Sequence, residues 1–261
     1  MGIKESVVKI ISWNVNGYRS VLNKGCLECI FREKFDFICL QEVKLSDCEV
    51  LEKTVPKDYY VYSNLSSEKS RNGVAVLSLQ KPKQIKKVLG HEKFDQQGRY
   101  LELEFNDFTL INLYMPHGRR DKLDLPFKLE VAHTLIRYLK KHAGKKIIIA
   151  TDFNIARSNE DVCKSKENIN NTMFTFEERQ VIAELCKLGY YDSFRELFPQ
   201  KISYTWWTYA FDARKRNIGW RIDYFFVTEK ILKNVIDIEI DKNQEGSDHC
   251  PTIMTLNRVG V

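Results

Sequence analysis

Short apolar runs alternate along the chain with stretches whose apolar positions recur at helical spacing, the pattern of an α/β architecture. Val7–Val15 reads as a buried strand ending in the polar turn Asn14-Val15-Asn16-Gly17. A helical pattern around Leu27, Ile30 and Phe31 leads into a second buried strand, Phe37–Leu40, with Gln41 and Glu42 at its end. Tyr100–Phe105 and Thr109–Met115 read as antiparallel strands joined by the turn-favouring pair Asn106-Asp107. Pro126 then opens a helix whose stripe is Phe127, Val131, Ala132, Leu135, Ile136 and Leu139, with Gly144 closing it.

The next strand, Lys146–Ala150, terminates in Thr151-Asp152-Phe153-Asn154. Thr175 with Glu178 forms a capping-box signature, which predicts a helix over Val181, Ile182, Leu185 and Leu188 that stops at Gly189. Trp220–Val227 and Pro251–Leu256 supply two more strands, the second preceded by Gly246-Ser247-Asp248-His249. No linker, low-complexity tract or repeat interrupts the 261 residues, so a single domain over 1–261 is expected.

Composition narrows the classes little. No stretch approaches the ~18 uninterrupted apolar residues that span a bilayer, so no membrane association is expected. The N-terminal MGIKESVVKI lacks an apolar core and a cleavage site, which predicts an intracellular protein, cytoplasmic or, in a eukaryote, nuclear. Seven scattered cysteines fit reduced thiols. Cys26 and Cys29 have the spacing of half a zinc site, but no second pair follows and His91 is far along the chain, so zinc is not expected. The net charge of +6 is compatible with a polyanionic partner without requiring one.

The chemistry lies at the strand ends. Asn14, Glu42, Tyr114, Asp152 and Asn154 all stand where an apolar run stops, and strand ends that point one way gather such groups into a cleft. Each alone is better read as a turn-capping residue, and it is the five together that point to a cleft. Glu42 and Asp248 are candidates to hold Mg²⁺, which takes one or two carboxylates together with water and phosphate. The spacing of Asp152 and Asn154 puts both polar groups on one side of an extended segment, able to hold a water and a phosphate oxygen. His249 stabilises a phosphoryl transition state if a carboxylate orients it, and Asp223 is the candidate partner.

The segments IISWNVNG, ICLQEVK, NLYMPHGRR, TDFNIA, FTFEER, YTWWTY, ARKRNIGWRIDYF and GSDHCP, in this order from Ile10 to Leu256, resemble the exonuclease III family of abasic-site endonucleases. That family lies within the endonuclease/exonuclease/phosphatase superfamily. The resemblance implies a four-layer α/β sandwich of two mixed β-sheets packed face to face and flanked by helices. It implies Mg²⁺-dependent hydrolysis of the phosphodiester bond 5′ to abasic sites in duplex DNA, with 3′→5′ exonuclease and 3′-phosphodiesterase activity on blocked 3′ ends. It leaves the choice between Mg²⁺ and Mn²⁺ open, and a monomer is expected.

By the same resemblance Glu42 is the principal metal ligand, with Asn14 and Asp248 near the ion. Asp152, Asn154 and His249 complete the candidate metal set, one ion or two being left open. Asp152 aligns or deprotonates the attacking water, with Asn154 beside it, while Tyr114 lies near the scissile phosphate and His249 pairs with Asp223. Trp206, Trp220 and Ile222 match the pocket for a flipped-out, base-less sugar, a residue cheaper to extrude than a paired nucleotide. Trp207 is read as a packing aromatic. Arg71, Arg119 and Lys122, in polar loops, are candidates to grip phosphates.

Several positions depart from the family pattern: Thr151 stands where Gly is usual, His117 replaces a side-chain amide, Arg157 replaces His and Ser165 replaces Pro. Asn16 follows the bacterial-like form of its motif. None removes a core catalytic group. Two alternatives are a superfamily phosphatase acting on lipid or nucleotide, against which ARKRNIGWRIDYF argues, and a non-catalytic DNA-binding relative. The latter would lack one of Glu42, Asp152, Asn154 or His249, and all four are present.

Overall fold

The structure, a computed structural model, describes residues 7–68 and 71–258. The residues before Val7, on which much of the reading of the N-terminus rests, lie outside that range. Among the described residues twelve strands form two six-stranded sheets. They are β1 (Val7–Asn14), β2 (Phe37–Gln41), β3 (Tyr60–Asn64), β4 (Val74–Ser78), β5 (Gln84–Lys86), β6 (Tyr100–Glu104), β7 (Thr109–Tyr114), β8 (Ile147–Asp152), β9 (Tyr190–Asp192), β10 (Asp223–Thr228), β11 (Val235–Ile240) and β12 (Thr252–Asn257). One sheet runs β11-β12-β1-β2-β4-β3 and the other β5-β6-β7-β8-β10-β9. Both are mixed, since β1–β2 and β7–β8 are parallel and their neighbours antiparallel.

Side chains on a strand alternate between faces, and the sequence fills both faces of the central strands with apolar groups. Ile10, Phe37, Cys39, Leu110, Ile148, Ala150, Phe225, Val227 and Met254 form the core between the sheets. The alternate positions Ile11, Trp13, Ile38 and Leu40 pack outward against the helices Tyr18–Asn23, Glu28–Glu33 and Glu49–Thr54. On the opposite side Ile111, Leu113, Ile147, Ile149 and Phe226 pack against Leu125–Lys141 and Phe176–Lys187. The result is four layers, helices, sheet, sheet, helices, as the resemblance implied. Among the described residues no helix is long and apolar enough to cross a membrane.

The predicted elements stand with shifted ends. The helix begun near Pro126 spans Leu125–Lys141, and the capping box at Thr175 is complete, with Glu178 N–H donating to Thr175 Oγ1 at 3.2 Å. Trp220–Val227 is not one strand. β10 begins at Asp223, while Trp220 bridges to Trp206 and Val162 outside the sheet. The edge strands β3, β5 and β9 carry little apolar alternation of their own, whereas β11 alternates Ile236-Asp237-Ile238-Glu239-Ile240, a strand signal absent from the expectations above.

A buried polar bridge joins the sheets beneath the strand ends. Gln41 Nε2 donates to Ser12 Oγ (3.0 Å) and to Asn112 Oδ1 (2.8 Å). Asn112 Nδ2 in turn donates to the carbonyls of Leu40 and Ala75 in the opposite sheet. These four bonds tie one sheet to the other, since any slide would break them and leave more buried groups unpaired.

Candidate active site

Strand parity delivers the candidate residues. Asn14, Tyr114, Asp152 and Asp223 share the inward parity of Ile10, Leu110, Ile148 and Phe225, so all four point between the sheets at the same end. Register aligns them further: Tyr114 lies opposite Asp152 on β7–β8, and Asp152 opposite Asp223 on β8–β10. Asn14 crosses from the other sheet, donating through Nδ2 to Asp152 Oδ2 at 2.8 Å.

Three donors hold the Asp152 carboxylate at the edge of the cleft. Its Oδ1 accepts the Asn154 backbone N–H at 2.9 Å, and Oδ2 accepts Asn154 Nδ2 at 3.3 Å. This corrects one expectation. The Asp152-Phe153-Asn154 segment is not extended but a tight turn with Asn154 at φ 52, Phe153 pointing into the core. Both polar groups still face the cleft, because the Asp152 carboxylate itself folds the turn. Asn154 Nδ2 also donates to the Met115 carbonyl at 3.0 Å.

His249 is placed by the Gly246–His249 loop, where Ser247 Oγ donates to the Asn14 carbonyl (2.8 Å) and accepts the His249 N–H (3.2 Å). Its Nδ1 lies 2.9 Å from Asp223 Oδ2, the predicted pairing, and its Nε2 lies 3.9 Å from Asp152 Oδ2. Burial pushes the imidazole down. The Asp223 carboxylate and its hydrogen bond, then Asp152 and Asp248, outweigh burial and lift it to about 10. Burial, then the neighbouring Asp223 charge, raises Asp152 to about 7 against the pull of His249 and Asn14. Burial and the adjacent Glu42 carboxylate also hold the Tyr114 hydroxyl well above its ordinary value, so it remains a donor. The Arg99 guanidinium lies 4.3 Å from the Tyr114 ring centre and pulls the other way.

The donor set for a cation lies beside this cluster. Glu42 follows β2 at φ 56, with Oε1 3.2 Å from Lys44 Nζ. Asp248 accepts Asn16 Nδ2 (2.8 Å) and Trp206 Nε1 (3.0 Å), and Asn14 Oδ1 accepts the Asn16 N–H (2.9 Å). Burial opposes the Asp248 charge, but His249 and these two side-chain donors keep its carboxyl below the usual range. Glu42, Asp248 and Asn14 therefore present oxygens with lone pairs to spare, a hard-ligand set that fits an oxygen-seeking divalent cation and not a thiolate-seeking metal. Asp152, Asp223 and His249 also lie close enough to enclose an ion. The Asp223 hydrogen bond on Nδ1 and the three donors on Asp152 already occupy that cluster, so it fits a cationic imidazole better.

A cavity of about 290 Å³ is lined by Asn14, Glu42, Tyr114, Asp152, Trp206, Ile222 and His249, among others. It adjoins a second of about 500 Å³ in which Trp206 meets Trp220, and His117 and Met173 border both. The Trp206 and His249 rings are 6.5 Å apart. Gly219 makes the approach of the Trp206 and Trp220 segments possible, because a Cβ there would stand 2.4 Å from Trp207 Nε1 and 2.8 Å from the Trp206 carbonyl. Trp207 itself is buried under Arg214, a packing aromatic as expected.

The loop arginines are not brought to these cavities. Arg71 is 74% exposed and pairs with Glu68, and Arg119 pairs with Asp121 at 2.8 Å; neither Arg71, Arg119 nor Lys122 lines either cavity. Arg120, beside the arginine singled out in the sequence, lines the larger one. Met173, Thr172 and Asn171 were also missed there, since a polar loop gives no sign of what its backbone curls around. Lys128 did leave a signal, a charged residue on the apolar stripe of its helix. Among the described residues the Cys26–Cys29 pair gathers no metal cluster, and Cys29 donates instead to Gln244 Oε1 at 3.1 Å.

Comparison with known proteins agrees with this geometry. Residues 11–249 match the model of the endonuclease/exonuclease/phosphatase family. An exodeoxyribonuclease of Bacillus subtilis is 39% identical over 96% of this chain and 100% of its own. A DNA-(apurinic or apyrimidinic site) endonuclease of Dictyostelium discoideum is 36% identical over 98% of this chain and 73% of its own. The structure of an AP endonuclease from Archaeoglobus fulgidus superposes with a TM-score of 0.85 at 27% identity, covering 96% of this chain and 100% of that one. With its strand-end carboxylates, its His–Asp pair and relatives matched along nearly the whole length, the chain belongs to the endonuclease/exonuclease/phosphatase family.

Proposed function

We propose that this protein is a Mg²⁺-dependent DNA repair nuclease that hydrolyses the phosphodiester bond 5′ to an abasic site in duplex DNA, acting as a monomer. The observation that carries the reading is the union of a buried His–Asp–Asp cluster with a cavity whose far wall is Trp206 and Ile222. An aromatic and aliphatic wall beside the reacting phosphate accepts a bare deoxyribose and disfavours a nucleotide still carrying its base.

Hydrolysis breaks the P–O3′ bond, with the attacking oxygen entering opposite the leaving one. Asp152, poised near neutrality, orients the water and takes its proton. The Asn154 Oδ1, left free while Nδ2 holds Met115 and Asp152, accepts from that water. His249, kept cationic by Asp223, presents Nε2–H to a phosphate oxygen as negative charge builds there. Tyr114, kept protonated, donates a further hydrogen bond. Glu42, Asp248 and Asn14 would hold the divalent ion, which when bound supplies charge neutralisation at the phosphate and the leaving oxygen. The same groups acting at a strand end give 3′→5′ exonuclease and 3′-phosphodiesterase activity.

The test is a 5′-labelled duplex carrying one tetrahydrofuran abasic analogue, incubated with Mg²⁺ or EDTA beside an undamaged duplex. A single Mg²⁺-dependent product ending immediately 5′ of the lesion is expected. No incision, or gradual shortening of both duplexes alike, overturns the reading.

A further inference from the structure

Lys128 and Glu178 are both completely buried, on different helices, and lie outside the ring of groups that face the cleft. The Lys128 ammonium donates to Glu178 Oε1 at 2.5 Å and to the Asn154 backbone carbonyl at 2.6 Å. Glu178 Oε1 also accepts the Met173 N–H (3.0 Å), and Oε2 accepts the Thr175 N–H (3.0 Å). One ion pair therefore touches the turn that carries Asn154 and the loop that carries Met173, a residue bordering both cavities.

Stability alone does not account for such a pair. Desolvating two charges costs as much as their attraction returns, and apolar side chains of similar volume often serve the fold as well or better. What an ion pair supplies is direction, since an ammonium aimed at one carbonyl holds that carbonyl where no methyl group would. The carbonyl concerned belongs to Asn154 at φ 52, a left-handed conformation that asparagine tolerates and that Asp152 folds from the other side, so what the ammonium adds is the direction of that carbonyl.

We infer that Lys128 and Glu178 are positioning residues that lock the Asn154 turn and the Met173 loop to each other, so that the Asn154 carboxamide and the cavity wall hold one fixed relation. The inference rests on the proposed nuclease reading for the role of Asn154. In the absence of the lock the turn relaxes, the carboxamide leaves its place over the reacting water, and turnover falls while substrate still binds. A displacement of about 1 Å at such a group is enough for roughly a 100-fold loss.

The experiment uses Lys128→Met/Glu178→Gln, which removes both charges together and keeps a capping box, because Gln serves at that position. On the tetrahydrofuran duplex kcat is expected to fall at least about 10-fold with KM within about threefold and the melting temperature close to wild type. In an Asn154→Ala background the double change should cost almost nothing further, since the two act as one unit. A kcat within twofold of wild type, or losses that multiply in the Asn154→Ala background, overturns the inference. If that variant fails to fold, Lys128→Arg keeps the charge but moves the donor. A several-fold drop in kcat at unchanged KM is then expected, and unchanged kcat overturns it. If the wild type itself leaves the abasic duplex intact, the proposed function fails separately. The same variants are then read on bis(p-nitrophenyl) phosphate, a bare phosphodiester.

Discussion

Replacing Asp223 by Asn isolates what the carboxylate does for His249. The side chains are nearly isosteric, so the 2.9 Å contact to Nδ1 can persist while the charge is lost. In the wild type that charge is the largest influence lifting His249 to about 10 against its burial. At pH 8 an imidazole near 10 is almost wholly cationic, whereas one returned to the ordinary value of about 6.5 is only about 3% so, a loss of roughly 30-fold in the competent form. At pH 6 both are mostly cationic, and the loss from this source shrinks to below about twofold. Asp152, 3.9 Å from Nε2, retains some lift, and burial opposes it, so the ordinary value is a fair midpoint.

The assay is single-turnover incision of the tetrahydrofuran duplex from about pH 6 to 9, read as the ratio of variant to wild type, which should fall steadily as pH rises. Loss of the Asp223 charge also lets Asp152 ionise at lower pH, which steepens the same trend. Stability supplies an independent check with a fixed sign. His249 has a raised folded-state pKa, so its contribution is complete below about 6.5 and disappears as pH climbs through about 10. The melting-temperature gap between wild type and Asp223→Asn should therefore narrow across that window. A pH-independent activity ratio together with a constant gap would refute the role given to the pair.

Arg221 donates to Asp161 and, through two nitrogens, to Asp192, all three buried, so Arg221→Met strands two carboxylates. Arg195 and Arg157 remain near them, which puts the cost at the lower end of about 3–5 kcal/mol, or roughly 6–12 °C in melting temperature. A drop under 2 °C by calorimetry would contradict this. Glu42→Gln should weaken the Mg²⁺ dependence of incision and lower the saturated rate at least about 100-fold, the ion's charge being worth several kcal/mol. A Mg²⁺ titration indistinguishable from wild type removes Glu42 as the main ligand. Wild-type incision should rise as pH passes through about 7, where Asp152 ionises, and the limb should move down as Mg²⁺ is raised, because a nearby cation favours the carboxylate. A flat profile across that range rules Asp152 out as the base. Gly219→Ala should cost about 1–3 kcal/mol and raise KM, since its methyl would meet the Trp206 carbonyl at 2.8 Å. Unchanged KM would mean that the spacing of the two tryptophan segments is not what binds substrate.

Much of the cleft was legible in the order of residues. A strand shows itself locally through its apolar run, and its end is where a polar side chain can stop the run, so Asn14, Glu42, Tyr114 and Asp152 stood out one by one. The capping box at Thr175 and the helix after Pro126 are equally local, and both formed as read. The segments ahead of β10 and at Asn154 were misread for a related reason. Trp220–Ile222 has strand-like composition but finds its partner in Trp206 outside the sheet, and a carboxylate that hydrogen-bonds its own backbone two residues on turns an extended pair into a tight bend.

The sequence by itself determined which residues end strands, which face of each strand is apolar and which side chains are candidates for the chemistry, because period and residue type act over a few neighbours. Only the tertiary structure decided who meets whom. The row Tyr114–Asp152–Asp223 comes from register between strands, and the Asn14–Asp152 contact from the packing of one sheet on the other. The Gln41–Asn112 bridge joins groups 71 positions apart, and the Lys128–Glu178 lock groups 50 apart. Such pairings are chosen by the need to satisfy most buried polar groups together, a condition on the whole fold that no local stretch of sequence expresses.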